Sequence, residues 1–268
     1  MTETFNILLV GDIDGSPGRD ALFKWLPSLI SEFQIDFIIV NGENAAGGFG
    51  ITPEIVEGFF QKGVDVITTG NHIWRKKEVF RIIDSEKRLL RPVNMPAGAP
   101  GFGYGLYEKK GYKVGVVNAL GRVYMDPLEC PFRAAKEVGR KLKADGALML
   151  ILDFHAEATS EKMAMGHYLD GLFSCVVGTH THVQTSDARV LSGGTGYITD
   201  AGMTGPHDSV IGVSKEKALR KFVTGMPAKF TVAEGGVALN GAVCRIDPVT
   251  GHAHSIESII RASSNGSL

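Results

Sequence analysis

Ile7-Leu8-Leu9-Val10-Gly11-Asp12 is the stretch that decides the fold. Its unbroken apolar run matches a strand buried on both faces, not the alternation of a half-exposed one. Ser16-Pro17 follows as an N-cap with Pro at the first helical position. Gly18 to Phe33 then predicts an amphipathic helix through Leu22, Phe23, Leu26, Leu29, Ile30 and Phe33, with Pro27 as a candidate kink. The same order repeats. Phe37 to Val40 is a second buried strand, ending in Asn41-Gly42-Glu43-Asn44, and Thr52-Pro53 opens a second helix. Val64 to Thr69 is a third strand, ending in Gly70-Asn71-His72. Strands alternating with helices predict an α/β fold with a parallel sheet.

Beyond Arg91 the texture changes, with Gly and Pro clustered from Pro92 to Gly103. Strands are expected over Gly105–Glu108 and Tyr112–Val117, and a helix over Glu129–Lys143. Ala147–Asp153 is a very apolar strand running into Phe154-His155. Cys175-Val176-Val177 is another, running into Gly178-Thr179-His180-Thr181-His182. The last third reads as mostly strand: Val190, Tyr197-Ile198, Phe230–Val232, Gly236–Ile246 and His254–Ile260. The Ser/Gly/Asn-rich tail, Ala262–Leu268, is expected to fray. With no internal repeat and no separating linker, residues 1–268 read as a single domain.

Composition narrows the function classes. The 268 residues are 44% hydrophobic and 21% charged, ordinary for a globular chain that buries a large core. A net charge of −1 excludes a generally basic, nucleic-acid-coating protein, and no stable nucleic-acid complex is expected. The cysteines Cys130, Cys175 and Cys244 form no CxxC pair, which argues against a disulfide framework or a thiolate zinc site. No signal peptide and no membrane-length apolar run is visible, so the expected place is the cytoplasm, off the membrane. The late strands offer sheet edges that must be covered or blunted, and a homo-oligomer is one way to cover them.

Five apolar runs each end in residues able to bind metal: LLVGD, IIVNGEN, VITTGNH, LILDFH and CVVGTHTH. In open α/β sheets ligands bind beyond the carboxyl ends of the strands, so these ends point to one shared cleft. Asp12, Glu43, Asn44, Asn71, His155, His180 and His182 are too many for one tetrahedral zinc and fit two ions sharing a carboxylate. A donor set without thiolate suits two divalent or mixed-valence ions such as Fe, Mn or Zn. The His180-Thr181-His182 spacing, read as extended, puts both imidazoles on one side. Adjacent Asn71 and His72 point differently, so one can hold metal while the other faces substrate.

GD at Gly11-Asp12, NGEN at Asn41–Asn44, GNHIW at Gly70–Trp74, DFHAEATSEK at Asp153–Lys162 and GTHTHVQT at Gly178–Thr185 resemble calcineurin-like metallophosphoesterases. GDIDGSPGRD, NGENAAGG, ITDAGMTGP (Ile198–Pro206) and KFTVAEG (Lys229–Gly235) resemble their YmdB-like subfamily of bacterial cyclic-nucleotide phosphodiesterases. The resemblance runs from Asn6 to Ile260. It implies a four-layer α/β/β/α sandwich and a two-metal site, commonly di-iron. It implies hydrolysis of phosphodiesters, including 2′,3′-cyclic AMP. By motif, Asp12, Glu43, Asn44 and His182 would hold one ion and Glu43, Asn71, His155 and His180 the other, with Glu43 bridging. His72 would be the proton donor. The chain departs from the wider superfamily at three points. Asp14 stands where a His is usual, which leaves open whether Asn44 or Asp14 completes the first site. Glu43 replaces a bridging Asp, and Ile73 replaces the acid that would orient His72.

The expected mechanism has a metal-bridging hydroxide attack phosphorus, with His72 as general acid. Phe49, in the Ala45–Gly50 wall, is available to stack on a base. A nuclease or phosphomonoesterase on the same scaffold is the nearest alternative, and a regulatory metal- or ligand-sensing protein with weak catalysis is another. Plainer readings stand beside these. Asp12 alone would suit a helix cap, and Asn44 and Asn71 suit turns. Asp153 supports the His155 strand, and Glu157 either orients a His or makes a surface ion pair. Trp74 is either core or a stacking surface, Arg19 either solvated or phosphate-facing, and Cys175 is core. His207 follows the Gly202–Pro206 loop and is either ordinary or within reach of the cleft.

Overall fold

The computed structural model describes residues 4–262. The first half runs β1 (Phe5–Val10), β2 (Asp12–Ile13), α1 (Gly15–Phe33), β3 (Phe37–Asn41), α2 (Pro53–Gln61), β4 (Val66–Thr68) and β5 (Leu89–Leu90). The middle adds β6 (Tyr104–Lys109), β7 (Tyr112–Leu120), α3 (Pro131–Ala144), β8 (Met149–His155), α4 (Thr159–Leu169) and β9 (Cys175–Thr179). The remainder is β10 (Arg189–Val190), β11 (Gly196–Ile198), β12 (Met203–Pro206), α5 (Lys215–Thr224), β13 (Val237–Ile246) and β14 (Ala253–Ala262). Ala262 thus closes a strand, and the rest of the tail lies outside the described residues.

Two sheets form. The first is ordered β2-β12-β13-β1-β3-β4-β5, with β14 on the outer edge of β13. The second is ordered β10-β11-β9-β8-β7-β6. The centre of each is parallel, as the alternation predicts: β1-β3-β4-β5 in one and β7-β8-β9-β11 in the other. Antiparallel β13, β14, β6 and β10 flank them.

Period-two side-chain alternation explains the layering. On β1, Leu8 and Val10 pack with Leu22, Leu26 and Leu29 of α1 and Val56 and Phe59 of α2. Phe5, Ile7 and Leu9, on the opposite face, meet Val114, Met149, Ile151 and Val177 of the second sheet. The far face of that sheet, through Leu150, Leu152 and Val176, packs on Ala135 and Leu142 of α3 and Met165 and Leu169 of α4. Three apolar interiors therefore separate four layers, helix–sheet–sheet–helix. Burying each large apolar side chain contributes about 1.5–3 kcal/mol.

Several local expectations change. Helix α1 begins at Gly15, so Ser16 lies inside the first turn and Asp14 takes the cap position without capping through its side chain. The Asp14 backbone is drawn elsewhere, its N–H donating to the Thr204 carbonyl at 2.9 Å. The helix continues through Pro27 to Phe33. Helices α4 and α5 lie where no helix is expected. Phe230–Val232 is not a strand; only Val232 bridges, to Val213.

Candidate metal centre

Parallel register brings the strand ends together. Val10 lies beside Val40, Asn41 beside Thr68, and His155 beside Thr179. Asp12, Glu43 and Asn71 thereby leave the first sheet, and His155, His180 and His182 the second, at one edge of the sandwich. Glu43, His155 and His180 converge, with one potential ligand atom from each within 4.8 Å of the others.

Their hydrogen bonds show what the group is built to hold. Thr179 Oγ1 donates to Asp153 Oδ1 at 2.7 Å, which leaves it to accept from His155 Nδ1–H at 2.9 Å. The lone pair of a neutral His155 is then on Nε2. Around Nε2 stand Glu43 Oε2 at 3.1 Å, Asn71 Oδ1 at 3.1 Å and His180 Nδ1 at 3.0 Å. Electron-rich atoms facing one another in a buried space need a cation or a proton among them. His155 is raised to about 9: burial opposes its charge, but Glu43, Asp12 and Asp153 outweigh burial. Glu43 is held well below the usual range, because His155 and His72 outweigh the upward push of burial. Burial and the His155 charge lower His180 to about 3.

Asp12 is fully buried and accepts from the His180 backbone N–H at 3.0 Å through Oδ2. Its Oδ1 has no hydrogen-bond partner among the described residues and lies 3.6 Å from His155 Nδ1, and burial raises the carboxyl to about 6 despite His155 and His182. Gly70 leaves room for the cluster; a Cβ there would collide with Glu43 Oε2 and the His155 ring. An orphaned buried oxygen, an acceptor-only cradle and a glycine clearance together fit a metal centre.

His180 and His182 do not lie on an extended segment. Both have positive φ, 99° and 66°, so the chain turns at each and the imidazoles serve different partners. His182 Nδ1 donates to the Ile211 carbonyl at 2.9 Å, leaving Nε2 beside Asn44 Nδ2 at 3.2 Å. Left-handed conformations at non-glycine residues cost about 1–3 kcal/mol each and persist where the surroundings fix them. Here Asp200 fixes them. Its Oδ2 accepts from the Thr181 backbone N–H at 3.2 Å and from Thr181 Oγ1 at 2.6 Å, and pairs with Lys162 Nζ at 2.6 Å. Lys162 and Asp200 are both buried. Neither is a candidate from sequence, although both lie inside the quoted DFHAEATSEK and ITDAGMTGP motifs.

His72 is oriented without the missing acid. Its Nδ1 lies 2.7 Å from Asn44 Oδ1 and 3.3 Å from Glu43 Oε1, and the Phe49 ring meets it edge-on at 5.1 Å. Asn44 Oδ1 thus faces His72, so a ligand role for Asn44 requires its amide to turn. Asp14 lines the same cavity; its buried Oδ1 has no hydrogen-bond partner among the described residues, and burial raises its carboxyl to about 6. The cavity is ≈ 310 Å³ and runs past His72 and Phe49 to Ile211, Phe230 and Val232. Phe230 and Val232 lie inside the quoted KFTVAEG stretch, and none of the three is a metal or catalytic candidate from sequence.

The supporting residues also resolve. Asp153 accepts from Asn41 Nδ2 at 2.9 Å and from the Thr68 hydroxyl, as well as from Thr179, and so supports the His155 strand. Glu157 pairs with His180 Nε2 at 3.2 Å. Arg19 donates to the Ala45 carbonyl, fixing the wall loop. His207 Nε2 donates to the Met203 carbonyl at 3.0 Å and is thereby occupied. Cys175 is core, and Trp74 stacks on Phe80 with centroids 5.3 Å apart.

Residues 8–259 match the family described as YmdB-like protein. The 2′,3′-cyclic-nucleotide 2′-phosphodiesterase of Bacillus subtilis (strain 168) is 48% identical over 254 residues, covering 95% of this chain and 96% of that protein. A crystal structure described as a novel phosphatase from Mycoplasma pneumoniae superposes with a TM-score of 0.92 at 35% identity, covering 98% of this chain and 95% of that one. A 5′-nucleotidase precursor from Thermus thermophilus shares the fold alone, with a TM-score of 0.56 at 13% identity over 97% of this chain and 54% of its own. By the span of the family match and the identity to its relatives, the chain belongs to the YmdB-like family.

Proposed function

We propose that this chain is a dinuclear metal-dependent phosphodiesterase acting on small cyclic nucleotides, with 2′,3′-cyclic AMP as a substrate. The convergence of Glu43, His155 and His180 beside Asp12 Oδ1, which accepts no hydrogen bond from the described residues, opening on the His72 cavity, carries this reading. Asp12, Glu43 and His182 would hold one ion, completed by Asn44 or Asp14. Glu43, Asn71, His155 and His180 would hold the other. Iron is the first expectation for both, with manganese or zinc as alternatives. When bound, such ions supply a nucleophile at neutral pH and neutralise charge on the phosphoryl oxygens.

The chain's own residues do the rest. His72 is anchored through Nδ1 by Asn44, which leaves Nε2 on the cavity side as the proton donor to the leaving ester oxygen. In a 2′,3′-cyclic substrate that oxygen stays on the ribose. Phe49 and Phe230 offer aromatic surface to the base, and Val232 and Ile211 exclude water beside it.

Hydrolysis of 2′,3′-cyclic AMP by protein reconstituted with Mn²⁺ or Fe²⁺, with His72→Ala as control, tests the reading. Metal-dependent turnover that collapses in the variant is the expected result. No turnover above the variant, in protein shown to hold two ions, would overturn it.

A further inference from the structure

A phosphodiester has two ester arms, and among the described residues two cavities of substrate size adjoin the candidate centre. Neighbouring residues Asn71 and His72 line different ones. His72 faces the first, with Phe49 and Phe230. Asn71, whose Oδ1 is 3.1 Å from His155 Nε2, lines a second cavity of ≈ 420 Å³ with Trp74, Phe80, Met95, Leu128 and Asp126. Both volumes fall in the range of about 300–1,000 Å³ found for small-molecule sites. The mechanism above uses only the first.

The second cavity has the chemistry of a base site. Trp74 and Phe80 stack nearly parallel, 9° between planes, and Phe80 is 51% exposed. A flat, half-uncovered aromatic pair is the surface on which a nucleobase stacks, without regard to which base it is. Met95 and Leu128 supply apolar walls. Asp126, on the exposed rim, is an acceptor for the ring or exocyclic N–H groups of a purine.

We propose that this second cavity is a nucleoside subsite, and that the protein also cleaves linear 3′,5′-dinucleoside monophosphates. One base lies in the Phe49 cavity and the other on the Trp74–Phe80 pair, with the phosphate between them at Asn71 and His72. This rests on the reading of the centre given above. Water supplies the oxygen that joins phosphorus and releases one proton to solvent, from which His72 is reprotonated. The bond from phosphorus to one ribose oxygen breaks, and that oxygen takes the proton from His72. The products are one nucleoside and one nucleoside monophosphate, with no redox change.

The test compares adenylyl-3′,5′-adenosine with 2′,3′-cyclic AMP on the metal-loaded protein, for wild type, Phe80→Ala and Trp74→Leu. Losing a stacking partner should raise KM for the dinucleotide about ten-fold or more, while KM for the cyclic mononucleotide stays within about two-fold. Turnover of the mononucleotide without the dinucleotide, or equal effects on both, would overturn the subsite and leave the centre intact. Failure on both substrates would count against the centre instead. Binding then decides the subsite. The chain has two tryptophans, so in a Trp25→Phe background Trp74 emission reports stacking directly. Saturable quenching by the dinucleotide, lost in Phe80→Ala, supports the subsite, and no quenching rejects it.

Discussion

At the scale of single residues, the proposed centre separates groups that would hold a cation from groups that hold other groups. His72 belongs to neither set, since Asn44 anchors it and its free nitrogen faces the cavity. His72→Ala should therefore lower kcat by about 10²–10⁴-fold while bound metal, measured by mass spectrometry, stays unchanged. Loss of metal together with activity would make His72 a ligand or a support. Asn44 and Asp14 are separated the same way. Whichever completes the first ion's shell loses that ion on substitution by Ala, whereas an Asn44 acting only through His72 loses rate alone. Gly70 is the sharpest steric test. Gly70→Ala drives a Cβ into Glu43 and His155. The fold should weaken by about 1–3 kcal/mol in a denaturant melt, and metal affinity should fall with it. A variant that loads metal normally would show that the cluster has slack the distances do not suggest.

Among the elements, legibility in the sequence followed burial. Strands β1, β3, β8 and β9 are buried along their whole length, so they read as unbroken apolar runs with chemistry at one end. Helix α4 hid because its inner face carries Glu161 and Lys162, which erases the apolar period a helix normally shows. Helix α5 hid for another reason. Its apolar residues Ala218, Leu219, Phe222 and Val223 do keep helical spacing, but they are few among charged neighbours, and in the fold only Ala218 is buried. The cavity-lining role of Ile211 and Phe230–Val232 went unread, although KFTVAEG was quoted, because lining a cavity needs no particular residue type. The hidden Lys162 is nonetheless tied to the legible motif, through Asp200 to Thr181 between the two histidines. Lys162→Met removes one partner of a buried pair and strands the Asp200 charge, at a cost of about 3–5 kcal/mol. The metal-free protein should melt well below wild type, and adding Asp200→Asn should recover part of the loss. A Lys162→Met protein as stable as wild type would mean that the pair is dispensable to the loop.

For the whole molecule, the candidate ligands are divided between the layers. Asp12, Glu43 and Asn71 follow strands of the first sheet, while His155, His180 and His182 belong to or follow strands of the second. The apolar interior between the sheets, from Phe5 and Leu9 across to Ile151 and Val177, holds them together along their length. At the centre's edge the interior gives way to polar and charged groups, with Glu43, Asp12 and Asp153 facing His155. Bound ions would act there as a clamp between sheets. They bind the folded chain and have no assembled site in the unfolded one, so at a free concentration 100 times Kd they add about 2.7 kcal/mol per site. Chelation should therefore lower the melting temperature, and adding Mn²⁺ or Fe²⁺ should restore it. The loss should also be local. Amide exchange should speed up at residues 41–44, 70–72 and 179–182, and stay unchanged in α3, which packs on the far face of the second sheet. Faster exchange spread evenly over both sheets would mean that the ions support the fold globally. No change in melting or exchange on removal of measured metal would mean that the apolar interior alone holds the sheets in register, and the clamp would be wrong.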